Sequence, residues 1–326
     1  MENVVVGIDV GGTSTKYGFV TRSGELLASD AIPTNSENSY QTFFTHLYKK
    51  IDGLKEKLGI PVEIKGIGVG APAGNNVTGT IDEASNLNWE GSIPVTEILE
   101  SVANKRVVLT NDANAATIGE MLYGAGQNLE NFISLTLGTG LGSGIVLNKK
   151  LIVGQNGHAG EIGHTTVFHN GRSCTCGRRG CLETYVSAPG LIKTVNELAE
   201  TTELESELRD LSANQLNAKR ITGAAKDGDV LALKAFEFTG RILGLKLADI
   251  VTCINPEAII LTGGLSKAGS LIVEPAKKHM EDQLLDIFKD QVDISLSTLT
   301  EKNAAILGAG AFIWKELEEK ELIKSY

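Results

Sequence analysis

Apolar and polar residues follow one another along the first third of the chain in short blocks that predict alternating strands and helices. The predicted strands lie at residues 4–9, 16–20, 26–29, 64–69 and 107–110. The predicted helices lie at residues 39–58, 93–103 and 111–121. Glycine-rich turns separate the first three strands, so this part is predicted to be an α/β domain that opens with a three-stranded meander.

A similar pattern returns in the second half of the chain. Further strands are predicted at 132–137, 143–147, 151–153 and 258–262, and helices at several places within 190–250 and at 303–319. Both halves open with a meander and a turn that contains glycine and threonine, which predicts two domains of one topology. The predicted domains are a small one at 1–120, completed by the C-terminal helix 303–326, and a large one at 121–302.

Composition narrows the class of protein. The chain has 326 residues, of which 42% are hydrophobic and 21% charged, and its net charge is -10. An acidic chain is a poor partner for nucleic acid, because phosphate binding requires a basic surface. No apolar run approaches the roughly 20 residues of a membrane span, and the chain enters its first predicted strand without a signal peptide. We therefore expect a cytoplasmic protein that contacts neither nucleic acid nor membrane.

Three glycine-rich turns each follow a predicted strand. One such turn alone is more often a simple hairpin, but three of them predict nucleotide binding, because glycine lets backbone N–H groups approach phosphate oxygens. Asp9 could hold Mg²⁺ through water, and Lys16 could neutralise phosphate charge. The candidate nucleotide-binding residues are Asp9, Gly11, Gly12, Thr13, Lys16, Gly138, Thr139, Gly140, Gly263 and Gly264.

A short window holds His164 together with three of the four cysteines of the chain, Cys174, Cys176 and Cys181. Thiolates and an imidazole suit a closed tetrahedral zinc site, and a clustered set favours metal binding over disulfides. Two carboxylates of the same window, Glu161 and Glu183, are expected to border a polar pocket for a hydroxylated small molecule. The fourth cysteine, Cys253, is expected to be a small buried residue.

A candidate general base stands where a predicted strand meets a predicted helix. Asp112 either caps this helix or accepts the proton of a substrate hydroxyl during phosphoryl transfer. Two asparagines, Asn86 and Asn111, offer the paired donor and acceptor atoms that sugar hydroxyls require.

Together these motifs resemble the ROK family of sugar kinases and repressors, within the actin-like ATPase superfamily, and most closely its bacterial glucokinases. The resemblance is carried by 9–13, 86–89, 110–115, 158–164 and 174–183. It implies two actin-like, ribonuclease H-like α/β domains with a hinge cleft that closes on the substrates. It also implies ATP and Mg²⁺, a structural Zn²⁺ held by His164 and the three clustered cysteines, and Asp112 as the base for the 6-hydroxyl of a hexose. The implied substrate-binding residues are Gly74, Asn86, Asn111, Asp112, Glu161, His164 and Glu183.

Glucose is the expected hexose, whereas N-acetylmannosamine, N-acetylglucosamine, fructose and allose are alternatives, since the motifs do not report the substituent at C2. A sugar-responsive repressor is disfavoured because the first predicted strand starts at Val4, which leaves no room for a helix-turn-helix domain. A zinc-stabilised binding protein without catalysis would not explain Asp112 beside three phosphate turns. Relatives are often dimers or tetramers, so a homodimer or homotetramer is expected.

Overall fold

The computed structural model describes residues 1–34, 36–37, 39–83, 87–212, 214–299 and 301–324, and for residues 301–303 and 321–324 it describes the backbone only. The strands are β1 (Glu2–Val10), β2 (Ser14–Thr21), β3 (Leu26–Pro33), β4 (Val62–Ala71), β5 (Gly74–Asn75), β6 (Thr80–Asp82), β7 (Ser92–Ile93), β8 (Val107–Asn111), β9 (Phe132–Leu137), β10 (Leu141–Leu147), β11 (Lys150–Leu151), β12 (Ala258–Thr262) and β13 (Asp293–Leu296). The helices are α1 (Tyr40–Lys57), α2 (Val95–Ala103), α3 (Asp112–Tyr123), α4 (Ala188–Thr201), α5 (Ala218–Lys226), α6 (Val230–Ile254), α7 (Ser270–Glu281) and α8 (Glu301–Lys324).

The first of two compact units comprises Met1–Asn128, Lys150–Ala159 and Thr298–Tyr326. Its main sheet has the order β3-β2-β1-β4-β8, in which the first three strands are antiparallel and the last three are parallel. The register aligns Asp9 with Gly70 and Gly70 with Thr110. The carboxyl ends of three parallel strands therefore meet at one edge of the sheet.

The parallel strands β1, β4 and β8 of this sheet are largely buried on both faces, as expected of parallel strands covered by helices. Along β1 the side chains alternate, so that Val4, Val6 and Ile8 join the core under α1 and α2, while Val5 joins the core under α8. A Cβ at Gly7 would lie 2.0 Å from the Ile306 carbonyl oxygen. Glycine in the strand thus allows α8 to lie directly against the sheet backbone.

The second unit comprises Leu129–Lys149 and Gly160–Ser297. Its strands follow the order β10-β9-β12-β13, with β9 antiparallel to β10 and parallel to β12. The register pairs Thr136 with Thr262, so two strands end side by side just before their glycine turns. The predicted α/β class and the repeat of one topology are confirmed by these strand orders.

Several sequence predictions need correction. The helix predicted at 93–103 begins at Val95, because Ile93 pairs with Ile81 in the small sheet β5-β6-β7. The strand predicted at 151–153 is Lys150–Leu151. Cys253 is exposed and not buried, because it lies on the solvent side of α6.

Other parts of the fold were not predicted, namely the small sheet, α7 and β13. The domain ranges 1–120 and 121–302 stay predictions, and the compact units differ from them most clearly at Lys150–Ala159, which packs within the first unit. Among the described helices, none combines the length and the hydropathy that a membrane crossing would need.

Candidate functional site

Two charged residues lie opposite each other near the carboxyl end of β1 in the first unit. Asp9 and Lys16 are cross-strand partners, and the Lys16 Nζ lies 3.9 Å from the Asp9 Oδ2. Burial raises the pKa of the Asp9 carboxyl to about 6, against the opposing effect of Lys16, and the negative charge of Asp112 adds to the increase. Asp9 and Asp112 therefore lie close enough in this unit to influence each other's ionisation.

The first glycine turn is held by a residue that the sequence reasoning missed. The hydroxyl of Thr34 donates a hydrogen bond of 2.6 Å to the Gly11 carbonyl, and its backbone N–H donates to the Thr13 carbonyl. Thr34 is fully buried, whereas the Thr13 side chain is exposed. The turn is thus rigid at its base and open at its tip. No local signal identifies Thr34, because it contacts the turn from the end of β3.

The candidate base lies at the start of α3. The N-cap is Asn111, and the side-chain oxygens of both Asn111 and Asp112 accept hydrogen bonds of 2.8 Å from the Ala113 N–H. Solvent reaches the Asp112 side chain, but the protein around it limits its hydration, and this desolvation raises its pKa despite the backbone N–H donors. A carboxylate of raised pKa at an open strand end is suited to accept a proton from a bound hydroxyl.

Two further predicted sugar-binding residues belong to the same unit. Gly74 is buried, and a Cβ there would lie 2.4 Å from the Thr110 carbonyl oxygen, so glycine lets β5 approach the end of β8. Asn86 lies outside the described residues. A buried neighbour, Asn75, was missed by the sequence reasoning; its Nδ2 lies 3.4 Å from both the Asp82 carboxylate and the His158 ring. This polar group ties the small sheet to the segment before Gly160.

The other two glycine turns lie next to each other in the second unit. Gly263 has a φ of 88°, and a Cβ there would lie 2.6 Å from the Leu137 carbonyl oxygen. The N–H of Gly138 donates to the Gly140 carbonyl at 2.9 Å, so this donor is used within the turn. At Gly138 and Gly264 a Cβ would meet no atom within 4 Å, which leaves open space beside both turns.

The four predicted zinc ligands converge in the second unit. The ligand atoms of His164, Cys174, Cys176 and Cys181 all lie within 4.8 Å of one another. The Cys176 and Cys181 sulfurs are 3.6 Å apart, and the Cys174 sulfur is 3.7 Å from the His164 Nδ1. Ligands at about 2.0–2.3 Å from a tetrahedral zinc ion lie roughly 3.3–3.8 Å apart, so this donor set fits zinc.

The thiols of this cluster differ widely in acidity. A hydrogen bond from the Arg178 backbone N–H lowers the pKa of the Cys176 thiol to about 6. Burial and the neighbouring sulfurs raise the pKa of the Cys181 thiol to about 12. Three thiolates so close together repel one another, and a divalent cation removes that repulsion.

The two predicted carboxylates of the second unit adjoin this cluster. Glu161 is exposed, and its Oε2 lies 3.9 Å from the His164 Nε2, the ring nitrogen that faces away from the sulfurs. The Ser143 hydroxyl donates to the Gly160 carbonyl and accepts from the Ile162 N–H, which fixes the turn that carries Glu161. Imidazole can thus bind metal with one nitrogen and leave the other for a substrate hydroxyl.

Glu183 connects the cluster of His164 and the three cysteines to the second glycine turn. Its Oε2 accepts a hydrogen bond of 3.0 Å from the Leu141 N–H, and its Oε1 lies 3.7 Å from the Cys174 sulfur. A Cβ at Gly140 would lie 2.4 Å from the same carboxylate. The glycine at 140 is therefore explained by the close approach of Glu183.

A buried arginine that the sequence reasoning missed anchors the cysteine loop to α4. The Arg172 guanidinium bonds Glu197 at 2.6 and 3.1 Å and the Thr184 carbonyl at 2.8 Å. It also lies 4.4 Å from the centre of the Tyr185 ring, and the Tyr185 hydroxyl accepts from the Arg172 N–H. The sequence holds one weak signal of this anchor. Thr194 and Glu197 are spaced so that they share a face of α4.

We expect Arg172→Ala to lower the free energy of unfolding by about 3 kcal/mol, because it leaves buried carbonyl oxygens without a donor. Urea denaturation of the zinc-loaded protein would measure this change. The control is Arg179→Ala in the same loop, an exposed side chain with one hydrogen bond of 3.3 Å to Ser173. The anchor role is refuted if both variants unfold at the wild-type urea concentration.

Known proteins resemble this chain over almost all of its length. A glucokinase of Halalkalibacterium halodurans is 36% identical over 323 residues, covering 97% of this chain and 96% of that protein. A glucokinase of Thermotoga maritima is 31% identical over 312 residues, covering 95% of this chain and 96% of that protein. The solved structure of a ROK family glucokinase from Streptomyces griseus in complex with glucose and AMPPNP is similar with a TM-score of 0.77 and 31% identity. That similarity covers 95% of this chain and 98% of the other.

The family itself is shown by the match to a model of a whole protein family. The model of the ROK family matches residues 5–316, which include every predicted site residue of both units. The predicted fold class, a repeated α/β unit of the actin-like ATPase type, agrees with this match and with the solved relative. The chain therefore belongs to the ROK family.

Proposed function

We propose that the protein is a glucokinase that transfers the γ-phosphoryl group of ATP to the 6-hydroxyl of glucose. The proposal is supported by the two glucokinases that match nearly the whole chain and by the similar ROK glucokinase solved with glucose and AMPPNP. Each of these proteins is at least 31% identical to this chain.

The position of Asp112 is the observation that carries the proposal. Its carboxylate takes the proton of the 6-hydroxyl as that oxygen attacks the γ-phosphorus. The new O–P bond forms while the bond to the leaving ADP oxygen breaks, and the proton remains on Asp112 until solvent removes it. The raised pKa of Asp112 brings the acidity of the base nearer to neutral pH, where proton transfer is most efficient.

The phosphates require donors and positive charge. Gly138–Gly140 and Gly263–Gly264 would offer backbone and open space to them, and Lys16 would supply a cation. Mg²⁺, held through water by Asp9, would neutralise charge on the transferred group. The Asp9 carboxylate suits this role, because 19% of its side chain is exposed at a strand end and oxygen ligands are those that Mg²⁺ prefers.

The hydroxyls of the hexose require paired donors and acceptors. We assign them to the carboxylates of Glu161 and Glu183, the Nε2 of His164 and the side-chain amides of Asn111 and Asn86, with Gly74 as a further predicted contact. Zinc in the cysteine cluster would supply rigidity and not chemistry, because all four of its positions are taken by protein atoms. Its binding energy would contribute to folding of the loop that carries His164.

The proposal is tested by an ADP-release assay with ATP, Mg²⁺ and a panel of glucose, fructose, allose, N-acetylglucosamine and N-acetylmannosamine. Glucose is expected to have the highest kcat/KM, with glucose 6-phosphate as the product detected by mass spectrometry. A higher kcat/KM for another sugar would reassign the substrate within the same reaction. If no sugar of the panel were phosphorylated by zinc-loaded protein, the kinase proposal would be wrong, and a sugar-responsive regulator would replace it.

The Mg²⁺ concentration that activity requires is expected to rise in acid. Because the pKa of Asp9 is raised to about 6, its carboxyl takes up a proton below that pH and loses its attraction for the cation. The apparent Mg²⁺ affinity should then fall about tenfold for each pH unit below about 6. Initial rates at saturating glucose and ATP over a series of Mg²⁺ concentrations would measure it.

The matched variants for this prediction are Asp9→Asn and Asp52→Asn. Asp9→Asn should need more Mg²⁺ at every pH and should lose the acid effect, whereas Asp52→Asn, an exposed residue of α1, should behave as wild type. A wild-type Mg²⁺ affinity that stays constant between about pH 5 and about pH 7.5 would refute the role of Asp9.

A further inference from the structure

The first glycine turn of the chain, at residues 11–13, joins β1 to β2 within the first unit. These two strands carry Asp9 and Lys16, the proposed partners of Mg²⁺ and of phosphate, as cross-strand neighbours close to the turn. The direction in which the backbone groups of the turn point decides whether it attracts or repels a phosphate, because an N–H group attracts an anion and a carbonyl oxygen repels it.

Two carbonyl groups of this turn are held by Thr34, the first residue after β3. The Thr34 hydroxyl donates a hydrogen bond of 2.6 Å to the Gly11 carbonyl, and the Thr34 N–H donates one of 3.1 Å to the Thr13 carbonyl. Since Thr34 is fully buried, both carbonyl groups are directed toward the interior of the unit.

The geometry of the peptide group then sets the direction of the donors. In a planar trans peptide the C=O of one residue and the N–H of the next point in opposite directions. Because the carbonyls of Gly11 and Thr13 are turned inward, the N–H groups of Gly12 and Ser14 are turned away from Thr34. Within the part of the chain that the structure describes, the Gly12 N–H has no protein acceptor. This donor therefore remains available to an anionic ligand.

The orientation of the first of these peptides depends on the Thr34 hydroxyl. Gly11 and Gly12 have no Cβ, so the peptide between them can turn over at little steric cost. Without the hydroxyl, the Gly11 carbonyl would lose its donor and would regain a hydrogen bond from water by turning outward. A carbonyl oxygen would then replace the Gly12 N–H on the outer face of the turn, where it would repel a phosphate.

We propose that Thr34 is a positioning residue for phosphate binding, because its hydroxyl holds the Gly11 carbonyl inward and thereby presents the Gly12 N–H to the phosphates of ATP. Thr34 acts through the turn and does not touch the nucleotide, since it is fully buried. Its role rests on the proposed function, which supplies ATP as the ligand. Thr34 controls the affinity for the nucleotide and leaves the affinity for glucose unchanged.

Isothermal titration of the zinc-loaded, full-length protein with AMPPNP and Mg²⁺ tests this role. Thr34→Val keeps the shape of the side chain and removes the hydroxyl, so it should weaken AMPPNP binding about tenfold and leave glucose binding unchanged. Thr34→Ser loses only a methyl group and keeps the hydroxyl, so it should fold normally and bind AMPPNP as the wild type does. In steady-state kinetics, Thr34→Val should raise the KM for ATP and leave the KM for glucose unchanged.

Thr15→Val is the matched control for the loss of a buried hydroxyl. Thr15 is also fully buried, and its hydroxyl oxygen lies 2.9 Å from that of Thr34. Because the single proton of the Thr34 hydroxyl goes to the Gly11 carbonyl, Thr15 is the donor in this second bond. Thr15→Val removes a buried hydrogen bond from the same place without releasing the Gly11 carbonyl, so its affinity for AMPPNP should equal that of the wild type.

Two results would overturn the role of Thr34 and leave the kinase proposal standing. The first is wild-type affinity for AMPPNP in Thr34→Val, and the second is an equal loss of affinity in Thr34→Val and in either Thr34→Ser or Thr15→Val. The second result would mean that packing around the turn, and not the direction of the Gly11 carbonyl, governs phosphate binding. If the wild-type protein bound no AMPPNP, the kinase proposal and the role of Thr34 would both be wrong.

Discussion

Asp112→Asn is expected to lower the turnover number for glucose about 10²–10⁴-fold, the usual contribution of a general base, while the affinity for glucose changes only a few-fold. Asparagine keeps the shape of the side chain and cannot take the proton of the 6-hydroxyl. Steady-state kinetics by ADP release, together with calorimetric titration of glucose, would separate the loss of turnover from any loss of binding.

The structure indicates that this variant will fold. The Ala113 N–H donates to the Asn111 side chain as well as to Asp112, so the cap of α3 does not depend on Asp112 alone. Removal of one negative charge from the first turn of α3 should cost only about 0.5 kcal/mol. The control Asp52→Asn removes an exposed carboxylate elsewhere in the unit and should leave turnover unchanged.

The same experiment distinguishes the two carboxylates of the first unit. If Asp112→Asn retains near-normal turnover and Asp9→Asn loses it at every Mg²⁺ concentration, Asp9 is the base and the assignment proposed here is wrong. If Asp9→Asn recovers at high Mg²⁺, its role is that of a metal-binding carboxylate. This comparison is necessary because the charge of Asp112 raises the pKa of Asp9, so the ionisation of the two carboxylates is linked.

Cys176→Ser is expected to remove the bound metal, so that purified protein contains close to zero zinc per chain in place of about one. Serine is a poor zinc ligand at neutral pH, and the loop that carries His164 would lose the cross-link that folds it. The affinity for glucose should fall much more than about tenfold, because Glu161, His164 and Glu183 all lie on or beside this loop. Metal content by mass spectrometry and glucose titration would measure both effects.

The chain contains its own control for this prediction. Cys253 is an exposed cysteine on α6 that takes no part in the cluster. Cys253→Ser should keep zinc, stability and glucose affinity at wild-type values. The zinc assignment would be abandoned if Cys176→Ser bound as much metal as Cys253→Ser.

The elements that sequence predicted best are those whose pattern is set by local chemistry. Strands β9 and β12 were predicted at their observed bounds, since each is a short apolar run closed by glycine. Helix α1 was predicted within a residue at each end, because its apolar residues recur at helical spacing after Ser39, whose side chain caps it.

Other elements could not be predicted from their own residues. The strands β5 and β7 have two residues each, too few to show alternation, and they form only because the chain folds back on β6. Helix α7 contains Pro275 and starts without a side-chain cap, so its sequence resembles that of a segment that interrupts a helix. Its helical state depends on packing against α6, where Gly240 leaves space for the proline ring.

The sequence by itself determined the cluster of His164 with three cysteines, the carboxylate at the end of a strand and the glycine turns, because each rests on residue type and short spacing. Only the tertiary structure decided how distant segments combine. The parallel register places Asp9, Gly70 and Thr110 in one row, the Arg172 guanidinium anchors the cysteine loop to α4, and one cavity collects side chains from residue 76 to residue 319. These arrangements depend on packing between segments far apart in the chain, and such packing leaves no local pattern in the sequence.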